Sequence, residues 1–239
     1  MTNVLRPGIS VVVPCYNNAR YLGEALDAIW GQTLPPAEVI VVDDGSTDHS
    51  ADVAQSHRPR VTYVYQENSG SGSARNRGVS LAQGEFLTFL DADDRWEADK
   101  LERQFAALQA SPDVDAVFAH ARHFISPDVA DEPAVQRLMI PAEPIAAYSA
   151  STLLVRRAAL ARVGAFDASL SVGEFIDWYA RAVEAGLHMR MLPEVLVWRR
   201  IHGANSTLRQ RQQRADYARV LKAALDRRRT SQPGSEPGV

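Results

Sequence analysis

Apolar positions fall into two alternating rhythms along the first half of the chain. Ile9 to Val13, Val39 to Val42, Val61 to Tyr65 and Phe86 to Leu90 are short apolar runs rich in β-branched and aromatic residues. Runs of this length without polar alternation predict strands buried on both faces, as in a parallel sheet. Between them, apolar residues recur at helical spacing: Tyr21-Leu22, Ala25-Leu26 and Ile29-Trp30, then Ala51 to Gln55, Ala74 to Leu81, and Leu101, Phe105 and Leu108 before Pro112. Ser, Thr and Asp residues ahead of the second and third of these supply helix caps. Val114 to Ala119 adds a strand. The alternation predicts an α/β fold, an open, mostly parallel sheet with helices on both faces.

From 120 to 150 the rhythm is lost. Pro127, Pro133, Pro141 and Pro144 break it, and a loop is expected. Ser151 to Val155 reads as a strand, Ala158 to Val163 as a helix ended by Gly164, and Gly173 to Ala185 as a longer helix ended by Gly186. Met189 to Leu192 and Val195 to Trp198 read as two strands. Residues 207–229 form a polar helix, and residues 230–239, rich in Ser, Pro and Gly, are expected to be disordered.

Composition narrows the function classes. A length of 239 residues allows one large domain. A formal net charge of -3 argues against a nucleic-acid binder. The charge is uneven, with nine Arg and one Lys against Asp216 and Asp226 between Arg199 and Arg229. That basic helix leaves three roles open: contact with an anionic membrane surface, a dimer element, or a solvated face. The one cysteine, Cys15, cannot form an internal disulfide, which fits a reducing cytoplasm. The first residues show no signal-peptide pattern, and no apolar stretch approaches a membrane span. A cytoplasmic protein, peripheral at most to the inner membrane face, is expected.

Candidate chemistry gathers at the strand ends, where open α/β sheets bind ligands. The first strand ends in Pro14-Cys15-Tyr16-Asn17-Asn18, and the second in Asp43-Asp44-Gly45-Ser46-Thr47-Asp48. The third leads to Asn68-Ser69-Gly70-Ser71-Gly72 and Ala74-Arg75-Asn76, and the fourth to Asp91-Ala92-Asp93-Asp94. Read alone, the acids also suit turns and helix caps, which is the role expected of Asp48.

In these four motifs, in this order, the chain resembles the inverting family-2 glycosyltransferases of the GT-A fold. The resemblance spans about Ile9 to Ser206. It implies a Rossmann-like GT-A domain with a smaller C-terminal acceptor lobe. Residues 1–119 would be the nucleotide-sugar-binding half and 120–206 the acceptor-binding half. It also implies a nucleoside diphosphate-sugar donor, with UDP-sugar expected. The leaving diphosphate gains charge, which a hard cation held by oxygen ligands neutralises, so Mn²⁺ or Mg²⁺ is implied. On this reading Asp93 ligates the metal, and Asp91 contacts ribose or metal. Asp44 accepts the uracil N3 proton. Pro14 and Tyr16 hold base and ribose, Arg75 stacks on the base or pairs with phosphate, and Asn68 and Gly70 line the nucleotide.

The resemblance is weaker in the acceptor half. Gly173-Glu174-Phe175-Ile176-Asp177 is similar to the family's acidic helix start, but Phe175 stands where the catalytic Asp is normally found. Glu174 and Asp177 remain as candidates for the base that takes the acceptor proton, with Glu174 favoured for its reach. Both also suit the N-terminal dipole of a helix. Arg200-Ile201-His202-Gly203-Ala204-Asn205 is similar to the family's Arg-x-His-x-x-Asn segment and makes His202 a candidate for the metal or the diphosphate. Trp178 and Trp198 read as core, while Trp96 is placed to line the acceptor side. The acceptor is open: a glycan, a lipid-linked glycan, a peptide or a small molecule. Oligomeric state is not indicated. Two other classes compete, a catalytically inactive nucleotide-sugar-binding module and a nucleotidyltransferase. The second would carry a Gly-rich loop with Arg and Lys after the first strand, where Asn17-Asn18-Ala19-Arg20 stands instead.

Overall fold

The structure, a computed structural model, describes residues 8–203 and 210–231. The leader reading, Asn205 and Ser206 of the Arg-x-His segment, and residues 232–239 of the tail lie outside the described residues.

Four strands form as the apolar runs predict: β1 (Ile9–Cys15), β2 (Glu38–Asp44), β3 (Thr62–Gln66) and β4 (Phe86–Phe89). They pair in parallel in the order β3-β2-β1-β4. Helices α1 (Ala19–Trp30), α2 (Ser50–Ser56) and α3 (Ser71–Leu81) connect them in sequence. β3 is the edge strand and is not buried on both faces: Tyr65 is exposed.

The second half continues the same sheet and mixes its direction. After the two-residue β5 (Arg95–Trp96) and α4 (Lys100–Ala110), strand β6 (Ala116–Ile125) runs well into the segment expected to be a loop. A 3-10 turn at Pro127–Val129, the short α5 (Pro133–Gln136) and β7 (Ile145–Ala147) follow. The expected strand from Ser151 is instead a 3-10 turn, Ala150–Thr152, ahead of β8 (Leu154–Arg156), because Thr152 and Ser149 close a capping box. Then come α6 (Arg157–Val163), α7 (Glu174–Glu184), β9 (Met189–Ile201) and α8 (Gln210–Ser231). β9 is one strand rather than two: its register on β6 shifts past Pro193 and Glu194, a bulge that absorbs the proline without ending the pairing. The completed order is β3-β2-β1-β4-β8-β6-β9-β5, with β7 against β6. α8 extends through Ser231, so Thr230 and Ser231 are helical rather than tail.

Two apolar layers flank the sheet. One packs Leu22, Leu26 and Ile29 of α1, Ala54 of α2 and Leu101 and Leu108 of α4 against Ile9, Val11 and Val39. The other packs Ala74 of α3, Leu160 of α6 and Phe175, Trp178 and Ala182 of α7 against Val12, Ile40 and Phe89. α3 lies so close to β1 that a Cβ on Gly78 would fall 2.2 Å from Val12 Cγ1. Trp96 is core, with its indole donating to the Ser151 carbonyl at 2.9 Å, and it does not reach the acceptor side. Among the described residues, no helix is long and apolar enough to cross a membrane.

Candidate active site

The carboxyl ends of β1, β2 and β4 open into a cleft of about 760 Å³. Every residue singled out at those strand ends for the nucleotide or metal lines it: Pro14, Tyr16, Asp44, Asn68, Gly70, Arg75, Asp91 and Asp93. His202 and Glu174 line it as well. Asp177 does not.

Local hydrogen bonds shape the strand ends. Asn17 adopts a left-handed conformation, φ 50°, tolerable for Asn. Its side chain accepts from the Thr47 amide at 2.7 Å, while its own amide donates to Ser46 Oγ at 2.9 Å. The end of β1 is thereby tied to the loop after β2. Asp48 joins two helix starts: it accepts from the Ala19 amide at 3.0 Å and from the Ser50 amide at 2.9 Å. Burial opposes its charge, and the hydrogen bonds from Ser50 and Ala19 outweigh that and lower its pKa. The buried Cys15 thiol is pushed up to about 12, chiefly by burial, which removes it as a nucleophile.

Asp44 is buried and well held. Its carboxylate accepts from the amides of Ser69 and Gly70, each at 2.8 Å, and from Gln66 Nε2 at 2.7 Å. These charge-assisted bonds fix the Asn68-Ser69-Gly70 loop over the cleft. Gly70 takes φ 88°, which a side chain would resist.

Arg75, on α3, is buried at the centre of the site. One guanidinium nitrogen donates to Asp91 Oδ1 at 2.7 Å and another to Glu174 Oε1. Burial opposes its charge, and the carboxylates of Asp91 and Glu174 outweigh it, raising its pKa. Ser71 Oγ donates to the same Glu174 oxygen at 2.7 Å. Glu174 opens α7, and the left-handed Gly173, φ 82°, turns the chain into that helix. Asp177, one turn on, accepts from Arg181 at 2.8 Å and from Arg227 of α8 at 3.3 Å. Phe175 points into the apolar layer beside Phe118, Phe166 and Trp178.

On the β4 side, Asp93 and Asp94 diverge. Asp94 is buried, accepts from the Arg200 amide at 3.0 Å, and has a pKa raised well above the carboxylate range by burial and then by Asp93 and Asp91. Asp93 faces His202, whose Nε2 lies 2.9 Å from its Oδ2. The His202 ring packs on Tyr21 at 4.8 Å, and Arg200 donates to the Asp93 carbonyl at 2.9 Å. Among the described residues, no group of three or more His, Cys, Asp or Glu is placed so that it could by itself hold a metal ion. Asp91, Asp93 and His202 all line the cleft.

Sequence reading missed three contributors. Ser151 supports the acidic turn, with its Oγ accepting from the Asp91 amide and donating to Asp94, each at 3.2 Å. Tyr148 and Tyr217 line the cleft although they lie in the proline-broken middle and on the basic helix. The i, i+4, i+8 spacing of Tyr217, Leu221 and Leu225 is the signal that α8 has an apolar stripe.

Known proteins are similar to this chain in sequence and in fold. Residues 10–166 match the model of glycosyl transferase family 2. An uncharacterised glycosyltransferase of Rickettsia typhi is 31% identical over 218 residues, covering 86% of this chain and 67% of its own. TuaG of Bacillus subtilis, named for teichuronic acid biosynthesis, is 43% identical over 108 residues, 44% of this chain and 42% of that protein. In fold, the chain is similar to Staphylococcus aureus TarS in complex with UDP-GlcNAc, with a TM-score of 0.73 at 22% identity, over 90% of this chain and 65% of that one. It is also similar to the mannosyltransferase PcManGT of Pyrobaculum calidifontis in complex with GDP-Man and Mn²⁺, with a TM-score of 0.68 at 24% identity, over 98% and 67%. The chain thus spans less than half of TuaG and just under two thirds of that TarS chain. With the motifs, the sheet order and these matches together, the chain belongs to glycosyl transferase family 2 and has the GT-A fold.

Proposed function

We propose that the chain moves a sugar from a UDP-sugar to an acceptor hydroxyl by a single inverting displacement. Residues 1–119 hold the donor and 120–206 the acceptor. The observation that carries this reading is the Arg75 bridge, which sets the donor-side Asp91 and the acceptor-side Glu174 on one guanidinium. Pro14, Tyr16, Asn68 and Gly70 frame the nucleoside, and Asp44 both orders that loop and offers a carboxylate to the uracil N3–H. Asp93, Asp91 and His202 would hold Mn²⁺ or Mg²⁺, a cation that would neutralise charge on the departing diphosphate together with oxygens of the nucleotide. The Mn²⁺ of the PcManGT complex supports the choice of cofactor; the TarS complex supports a uridine nucleotide, whereas the PcManGT complex carries GDP-Man.

Glu174 serves as the base. Its hydrogen bonds from Arg75 and Ser71 both fall on Oε1. Oε2 takes the acceptor proton as the acceptor oxygen attacks the anomeric carbon and the bond to the β-phosphate oxygen breaks. Asp177 is committed to Arg181 and Arg227 and holds α7 in place. Incubation with α-linked UDP-sugars and Mn²⁺ should release UDP and give a β-configured first product by proton NMR. An α-configured product would refute inversion.

A second reading, a binding module without turnover, is favoured by Phe175 and by the engagement of Glu174 with Arg75. Tight UDP binding without any UDP release from UDP-sugars, even by slow hydrolysis, would select it.

A further inference from the structure

Most large apolar side chains left exposed are scattered, but three converge on one wall of the cleft. They are Tyr148, after β7, Ile176 on α7 and Tyr217 on α8, each between two fifths and one half exposed. Tyr16 and the acidic turn of β4 line the same cleft. Tyr148 is braced edge-on by Phe118 at 5.1 Å and packs against Tyr179 at 4.8 Å. Tyr217 lies against Gly173, where a Cβ would sit 3.5 Å from the Tyr217 ring.

α8 is built onto this wall. Asp216 accepts from the Ser171 amide at 2.9 Å and the Val172 amide at 3.4 Å. Arg219 donates to the carbonyl and hydroxyl of Ser169, at 3.3 and 3.0 Å, and Arg227 reaches Glu184 at 2.6 Å. These bonds set Tyr217 beside the turn that presents Glu174. α8 lies wholly beyond the 10–166 segment that the family model matches.

We propose that Tyr217, with Ile176 and Tyr148, forms the acceptor platform, and that the acceptor group seated there is a pyranoside. This rests on the donor reading above. A pyranose has one face of C–H groups and a rim of hydroxyls. The face suits partly exposed aromatic rings, whose bodies are apolar and whose edges stay wet. The rim suits Ser171 and Arg199, which line the same cleft. A lipid tail would need a continuous apolar groove, and this wall is interrupted by polar groups.

The test uses the full chain loaded with UDP and Mn²⁺ and a panel of methyl pyranosides (gluco, galacto, manno and N-acetylglucosamine forms). Saturation-transfer NMR and titration read binding, and a coupled assay reads UDP release from UDP-sugar. At least one pyranoside should bind. Y217A and, independently, I176A should weaken it at least tenfold, and Y217F should restore it. Thermal melts establish that each variant is folded. UDP binding with no pyranoside bound, or pyranoside binding unchanged in both Y217A and I176A, would overturn the platform and leave the donor reading standing. Absence of UDP binding by the unaltered chain would overturn both.

Discussion

Arg75 donates to Asp91 at 2.7 Å and to Glu174, 99 residues away in sequence, on its other side, tying the end of β4 to the start of α7. Removing the guanidinium leaves the Glu174 carboxylate buried with no cation against it and only the Ser71 hydroxyl as a partner. Arg75→Met should therefore cost ~3 kcal/mol, mostly from Glu174, because the more exposed Asp91 is screened by solvent. Arg75→Lys should recover part of the stability but not the geometry, since one ammonium cannot reproduce the planar fork. Urea melts of both variants, with UDP-release assays, check this. Unchanged stability in Arg75→Met would remove the bridge from the account.

Glu174 and Asp177 should separate by readout. Glu174→Gln is expected to lower kcat about 100-fold or more with little change in UDP affinity, in the range for a general base. Asp177→Asn loosens Arg181 and Arg227, so it should lower the melting temperature and leave kcat within a few-fold. Equal loss of kcat in both would contradict the assignment of Glu174 as base.

Lys100 gives a pH signature unrelated to the cleft. Its ammonium is fully buried, 3.2 Å from Thr88 Oγ1 and 4.0 Å from the Trp96 ring centroid. Burial pushes its pKa well below the ordinary lysine value. The unfolded chain takes up a proton there at about pH 10.4 that the folded chain refuses until a lower pH. Lys100's share of stability is thus fully present above the unfolded value and is lost as pH falls toward the folded one. Lys100→Met should raise the melting temperature most near neutral pH, and the advantage should shrink toward pH 10. A difference that does not vary with pH would contradict it.

Two glycine substitutions should act in opposite directions. A Cβ at Gly78 would meet Val12 Cγ1 at 2.2 Å, so Gly78→Ala should cost ~1–3 kcal/mol by overpacking. A Cβ at Gly23 in α1 would lie 3.9 Å from its nearest neighbour, Val53 Cγ1, so Gly23→Ala should gain ~0.5–1 kcal/mol from helix propensity. Chemical denaturation of the pair decides whether α3 sits as close to β1 as described.

The sequence pattern reads well where local rhythm controls structure. Val11 to Val13 and Val39 to Val42 could only be buried strands, and their polar ends therefore had to lie on one edge. The pattern fails where distant partners decide. β5 is two residues long and exists because Arg95 and Trp96 pair with Trp198 and Val197. The Pro193-Glu194 step looks like a strand end, yet β6 carries the pairing past it. In the site, strand-end residues were legible because their spacing is local. The commitments of Glu174 to Arg75 of α3 and of Asp177 to Arg227 of α8 were not, since those arginines come from distant elements, whereas Arg181 is one turn from Asp177 on α7. Nor was Tyr217 legible, because its place depends on how α8 docks on the 169–173 turn.

The central claim is that the acidic turn of β4 holds a nucleoside diphosphate through a divalent cation. Calorimetric titration of UDP with Mn²⁺ and with EDTA, in the unaltered chain and in Asp93→Ala, tests it most directly. The account predicts at least tenfold tighter UDP binding with Mn²⁺ in the unaltered chain and loss of that gain in Asp93→Ala. Equal UDP affinity with and without metal, unchanged by Asp93→Ala, would contradict it.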